Sequence, residues 1–372
     1  MTKVYSESEK RKALSTFRLS RVFLPVLIGL TVVGYLFYHQ YDPQAFANIQ
    51  WTRHTLAWIL LALGCLLARI FCYAWRLYIL ADQSFSFAKC IQLIFLWEFS
   101  SAVSPTNVGG STVALFIIAQ EKIGVARTTT IVLYTIVLDA LFSLICIPVW
   151  VIIFGGNILG PGRLPFNQFG GWEITLLVAY GIMFCYGAFF AYGLFYKPQT
   201  LRRFSIWLSR RSFLSKYRDR LVKLGDDIAM TSRTLYRQDR SYHISAFVAT
   251  AGAWSCRFFL IICLIAGICG TVKFDLASIF ELYARIQTMF VMMAVSPTPG
   301  GAGFAEILFG ELLADYVPSG ISFVVASLWR MMAYYFFLLA GAIIIPQWLN
   351  GILRKRKRER EQRKKMSSSG EA

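Results

Sequence analysis

The chain has 372 residues, 56% of them hydrophobic and only 16% charged, with a mean hydropathy of +0.54. A soluble chain carries about a quarter charged residues, so this composition excludes a soluble enzyme and a disordered or fibrous protein. The net charge of +18 is confined to three segments: residues 1–21 (six basic, two acidic), 197–243 (twelve basic, four acidic) and 354–365 (nine basic, two acidic). That is the positive-inside pattern of a membrane protein, and it argues against a nucleic-acid partner.

In chain order, a basic cytoplasmic N-terminus (1–21) leads into an apolar run at Val22–Tyr38. No small-residue cleavage site follows it, so it reads as a retained helix. Further full spans are expected at Leu56–Leu80, Thr128–Phe154, Trp172–Tyr196, Ile244–Cys269 and Ile321–Trp348, each long enough for a bilayer core. Two other apolar stretches are interrupted. Phe87–Val103 runs into Ser104-Pro105-Thr106-Asn107-Val108-Gly109-Gly110, and Ile279–Val295 runs into Ser296-Pro297-Thr298-Pro299-Gly300-Gly301. Proline and glycine break helices, and in a membrane such a break persists only inside protein or beside a cavity.

The breaks repeat. Residues 102–106 and 294–298 both read Ala-Val-Ser-Pro-Thr, an offset of 192 that also superimposes the flanking spans. With both termini and the 197–243 loop inside, the first hairpin enters from the cytoplasm and the second from outside. The expected fold is an all-α polytopic membrane protein. Six full spans and two re-entrant broken-helix hairpins form an inverted repeat with units of about 56–154 and 244–348. This is the plan of many secondary transporters. The 197–243 loop alternates Leu, Phe and Trp with Arg and Lys, as an amphipathic segment on the inner leaflet would. The tail 349–372 is a basic cytoplasmic end.

Ionisable side chains inside apolar runs are candidates for function. Here they are Glu98, Asp139, Arg257, Arg285 and Arg330, with Glu306 just after the second break, and Arg69 and Arg76 in the second span. Arg76, near the inner end of its span, is expected to reach phosphate headgroups. The offset carries Asp139 to position 331, which suggests an Asp139–Arg330 pair. The half-helices would present unsatisfied N–H groups to an anion. Ser104, Thr106, Ser296 and Thr298 would add hydroxyls, and Gly109, Gly110, Gly300 and Gly301 close backbone approach. The eight cysteines form no C-x-x-C pair and the three histidines lie outside the apolar runs. No metal site, cofactor site or catalytic constellation is expected.

Pro299-Gly300-Gly301-Ala302-Gly303-Phe304-Ala305-Glu306 resembles the Pro-Gly-Gly-x-Gly-x-x-Glu segment of the lysylphosphatidylglycerol synthase transmembrane region, the flippase-like domain family. Trp75-Arg76, Gly124, Asp139 and Arg330 fit the same pattern, and the resemblance spans roughly residues 20–348. The first break departs from the family's Pro-Gly-Arg-x-Gly-Glu, and Thr135-Ile136 stands where members often have Glu-Arg. These departures suggest a different substrate. The resemblance implies translocation of a lipid or lipid-linked cell-envelope substrate across the cytoplasmic membrane by a transmembrane domain at 22–348, without an appended aminoacyl-transferase domain. Its partners would be membrane lipids and an anionic lipid or lipid-linked substrate. A membrane-embedded lipid-modifying transferase and a scaffold for a cell-envelope enzyme complex are the alternatives. The oligomeric state is not legible.

Overall fold

The computed structural model describes residues 51–103, 125–160, 170–210, 235–296, 303–341 and 343–348, with isolated positions between them. The expected first span Val22–Tyr38, residues 104–110 and 297–300 of the two breaks, and the basic tail lie outside the described residues. Those described are helical, with no strand among them. Five helices are long and apolar enough to cross a membrane: Arg53–Leu80, Arg127–Leu159, Gly171–Tyr196, Arg240–Ile268 and Gly320–Trp348. They match five of the six expected spans.

The first described helix, α1 (Arg53–Leu80), begins where the Thr52 side chain accepts a hydrogen bond from the Thr55 N–H, satisfying one of the orphan donors of a helix start. A turn with left-handed Asp82 and Gln83 leads to α2 (Phe87–Val103), which ends at the first break. Next come α3 (Val125–Phe154) and α4 (Gly171–Ala191). A short α5 (Pro198–Ser209) follows, with Phe204 and Trp207 exposed and stacked on each other. The second half holds α6 (Arg240–Ile268), α7 (Leu276–Met293), α8 (Phe304–Leu312) and α9 (Ser319–Arg330). A π-helical turn at Met331–Tyr335 carries the last span onward.

An offset of 192 maps α1 near α6, α2 near α7, and α3 near the last span. The counterparts α1 and α6 pack together along their length. Their contact is antiparallel and close. The Cys65 thiol meets that of Cys263 and Cys72 meets Cys256, so seven residues forward on α1 are seven back on α6. Gly267 permits this approach, because a Cβ there would stand 2.6 Å from Trp58 Cβ.

Side-chain contacts gather at both ends of the bundle. At the end that carries α5, Lys89 binds Glu121 at 2.6 Å and Arg127 binds the Ala81 carbonyl at 3.1 Å. Trp348 and Tyr242 join them there, through Glu121 and the Leu80 carbonyl. At the other end, the Thr271 hydroxyl donates to the Tyr316 carbonyl, and Phe274 stacks on Trp58. At nine residues, α8 is about 14 Å long, too short to span.

The α1–α6 contact predicts a cross-link. Mild oxidation in membranes, followed by proteolysis within 197–243, should leave the two halves joined on a non-reducing gel. The Cys65→Ala/Cys72→Ala variant should separate. Separation of the oxidised wild-type halves would contradict the packing.

Candidate functional site

The buried apolar side chains form two large clusters, one around Phe258, Phe309 and Trp329 and one around Leu93, Tyr134 and Leu194. On α1 the first cluster ends at Ile70 and the second starts at Tyr73. On α3 the boundary falls between Leu138 and Ala140, and on α6 between Ala253 and Phe258. Arg69, Asp139 and Arg257 stand at these boundaries, and Glu98 reaches the same level from α2. The charges thus make a layer between two oily halves.

Within the layer, Arg69 Nη2 lies 2.5 Å from Glu98 Oε2, and Arg257 Nη2 lies 3.5 Å from Glu98 Oε1. Arg76 Nη1 donates to Asp139 Oδ1 at 2.5 Å and to the Thr250 hydroxyl at 3.2 Å, and Trp254 Nε1 donates to the same Asp139 oxygen at 3.0 Å. Aromatic faces complete the lining. Tyr73 lies under both Arg69 (5.6 Å) and Arg76 (4.8 Å), and Trp254 under Arg257 at 4.7 Å. The Arg69 side chain is 1% exposed, whereas those of Glu98, Arg257 and Asp139 are 19%, 20% and 30% exposed. Charged groups within apolar spans avoid lipid, yet three of these four remain partly exposed.

A second pair sits at the breaks. Gly301 and Gly303 adopt left-handed φ of 71° and 82°, which side-chain-bearing residues avoid. Gly303 precedes α8, and the Glu306 carboxylate accepts its N–H at 2.7 Å. That satisfies a helix-start donor and places negative charge at the positive end of the helix dipole. The same carboxylate lies 3.1 Å from Arg330 Nε on the last span. Arg330 in turn stands 4.8 Å over the Tyr334 ring, and the Tyr334 hydroxyl donates to the Ala102 carbonyl at 2.9 Å. Ala102 is two residues before the first Ser-Pro. Two side chains, Arg330 and Tyr334, therefore connect the flanks of the two breaks.

Of the residues singled out from sequence, Glu98, Asp139 and Arg257 meet in the charged layer, and Glu306 and Arg330 meet at the second break. Asp139 and Arg330 pair with Arg76 and Glu306, not with each other. Equivalence in a repeat makes two positions alike without bringing them into contact. Arg76 is a further correction. Its side chain is 8% exposed and turned inward, toward Asp139 and Tyr73, away from any headgroup. Arg285 is engaged at the base of α7–α8, 2.5 Å from both Glu281 and Asp315 and over the Tyr316 ring. Burial pushes the Tyr316 phenol there up to about 12. Ser104, Pro105, Thr106, Asn107, Gly109, Gly110, Pro297, Thr298, Pro299 and Gly300 lie outside the described residues. Sequence reasoning underrated Arg69, Arg76 and the aromatic lining, although two arginines seven residues apart, on one face of an apolar span, were the signal. Among the described residues no group of His, Cys, Asp or Glu could hold a metal ion.

The family model of the lysylphosphatidylglycerol synthase transmembrane region matches residues 22–341. The chain belongs to this family. A curated relative, described as a UPF0104 membrane protein of Archaeoglobus fulgidus, is 21% identical over 332 residues, covering 86% of this chain and 94% of the relative. No solved structure matches. The match takes in the charged layer, the Gly301–Glu306 motif and Arg330, so this member of the family is a multi-pass membrane protein with an ion-paired interior.

Breaking the Arg76–Asp139 pair from one side strands a charge, at a cost of about 3 kcal/mol, the low end for buried pairs because Asp139 is partly exposed. Asp139→Asn and Arg76→Met should each lower the melting temperature in detergent. The double variant should recover part of the loss, and purely additive losses would show that the two residues do not support each other.

Proposed function

We propose that this protein moves an anionic lipid or lipid-linked cell-envelope substrate across the cytoplasmic membrane, past the charged layer and the flanks of the two breaks. The observation that carries this reading is the partial exposure of Glu98, Asp139 and Arg257 at mid-span depth. A purely structural ion-pair layer would be sealed on all sides. The family's description, drawn from a lipid-aminoacylating system, points the same way.

In this reading six spans cross the membrane with both termini inside. The two hairpins are re-entrant from opposite faces, and the repeat is inverted. The meeting of Lys89 with Glu121 at one end and of Thr271 with Tyr316 at the other supports it, as does the antiparallel packing of α1 on α6. The basic 197–243 loop and the aromatic face of α5 then rest on the anionic inner leaflet, each basic residue near the surface contributing about 1 kcal/mol. In the same reading the headgroup travels past Arg330 and Tyr334, which join the flanks of the breaks.

Two measurements test this. Single cysteines in a cysteine-free background should react from the cytoplasmic side at Asp82 and Arg237, and from outside at Asn157 and Lys273. Labelling of all four from one side would overturn the topology. Liposomes containing the protein should render a fluorescent anionic lipid in the inner leaflet accessible to an external quencher faster than protein-free liposomes. Gly301→Val should abolish the gain, because position 301 has a left-handed φ and a Cβ there would stand 3.0 Å from Met293 Cε. Equal rates with and without protein, for every anionic lipid tried, would remove translocation as the function.

A further inference from the structure

Four of the eight cysteines face one another in two pairs across the α1–α6 contact. Cys65 meets Cys263 and Cys72 meets Cys256, and all four are free thiols. A cysteine that only packs behaves as a small apolar residue and needs no second thiol beside it. Here two pairs in antiparallel register, seven residues apart on each helix, set thiol against thiol twice. Small residues bring the helices close at the pair nearer the α5 end. A Cβ at Gly252 would stand 3.2 Å from Cys72 Sγ, and Ala249 and Ala253 on the same helix are buried. A disulfide holds its Cα atoms about 5.5–6 Å apart, an approach that small residues at a helix interface permit.

The two pairs differ in access. Cys263 is 4% exposed, which shuts the Cys65–Cys263 pair on one side. Cys72 and Cys256 are both half-buried. Residues one turn away from them are open: Ala68 and Trp75 beside Cys72, and Phe259 beside Cys256. On a spanning helix that flank faces lipid, where no water enters to carry a charged oxidant. A reagent that meets Cys72 and Cys256 is therefore apolar and bilayer-soluble. Exposed aromatic rings adjoin them. Phe71 stacks on Trp75 at 6.3 Å and 8°, and Trp75 on Tyr78 at 5.8 Å, a platform for a flat ring.

We infer that Cys72 and Cys256 are a redox-active dithiol whose electron acceptor is a lipid-soluble quinone, and that their oxidation joins α1 covalently to α6. Both S–H bonds break and one S–S bond forms. The two electrons and two protons reduce the quinone to its quinol, so the step balances with no other reactant. Quinones act as terminal acceptors for protein dithiols at membranes. The thiolate is the form that reacts, and Arg69 supplies a cation one helical turn from Cys72. The Cys65–Cys263 pair, closed at Cys263, stays reduced. Because α1 and α6 lie in different halves of the chain, the bridge fixes one half against the other.

The test uses the full chain, reduced, in phosphatidylcholine vesicles and oxygen-free buffer. A short-tailed ubiquinone analogue is the probe, because its fully substituted ring has no free position for a thiol to add to. Loss of quinone absorbance should match the protein one to one. Peptide mapping without reduction should find the Cys72 and Cys256 peptides joined. Ferricyanide, which does not enter the bilayer, should leave both thiols free over the same interval. Cys72→Ala and Cys256→Ala should each abolish quinone reduction, and Cys65→Ala should keep it. Absence of quinol with the wild type would overturn the proposal. So would quinone reduction retained in Cys72→Ala or, should that variant fail to fold, a wild-type bridge between other cysteines. Oxidation by ferricyanide at the quinone's rate would overturn access from the lipid. Absorbance and a bridged peptide are read without any transport, so this site and translocation stand or fall separately.

Discussion

An arginine held at the centre of a bilayer must find a carboxylate, and this requirement fixes how the helices of the domain meet. Arg69 and Arg76 lie seven residues apart on α1, so they project from one face at two levels. One level draws in Glu98 from α2 and Arg257 from α6, and the other draws in Asp139 from α3. Hydrophobic burial cannot set that register, because lipid is as apolar as leucine and a rotated helix loses little by facing it. The ion pairs supply the specificity, and the two apolar clusters pack above and below them.

Much of this architecture was legible in the sequence, and the reasons differ by element. Five spans followed from length and hydropathy. The helix ends at Val103 and Met293 precede the two Ser-Pro-Thr repeats, because proline and glycine act locally, whatever the surroundings. The partners of the charges were another matter. Which carboxylate Arg330 meets depends on how α9 is rotated and on where Glu306 sits after a turn with two left-handed glycines, and neither is encoded in residue spacing. The offset that related Asp139 to Arg330 compares positions along two spans and carries no information about contact. Glu306 was readable as a helix-capping residue, three positions after Gly303; its second contact, to Arg330, was not.

The Gly301–Glu306 segment shows how a family motif carries several physical tasks at once. Its glycines turn the chain back, its glutamate closes the start of α8, and the same carboxylate holds the last span. That span reaches the other break through Tyr334. A single carboxylate thereby ties the start of α8 to a span whose Tyr334 bonds the Ala102 carbonyl beside the first break.

The π-helical turn at Met331–Tyr335 interrupts the last span directly after Arg330. A turn of this kind holds one residue more than the α-helix around it, and the segments on either side keep the azimuth they would have had without it. Wound as plain α-helix, the same residues would rotate everything beyond by about 100°. Gly341, where a Cβ would lie 2.3 Å from the Phe99 ring, and Trp348, bonded to Glu121, would then leave their places. The irregular turn thus acts as an absorbed insertion. Within the last span it is the stretch where the chain can shorten by one residue and keep both ends anchored, whereas a deletion on either side of it would turn one half of the helix away from its partners.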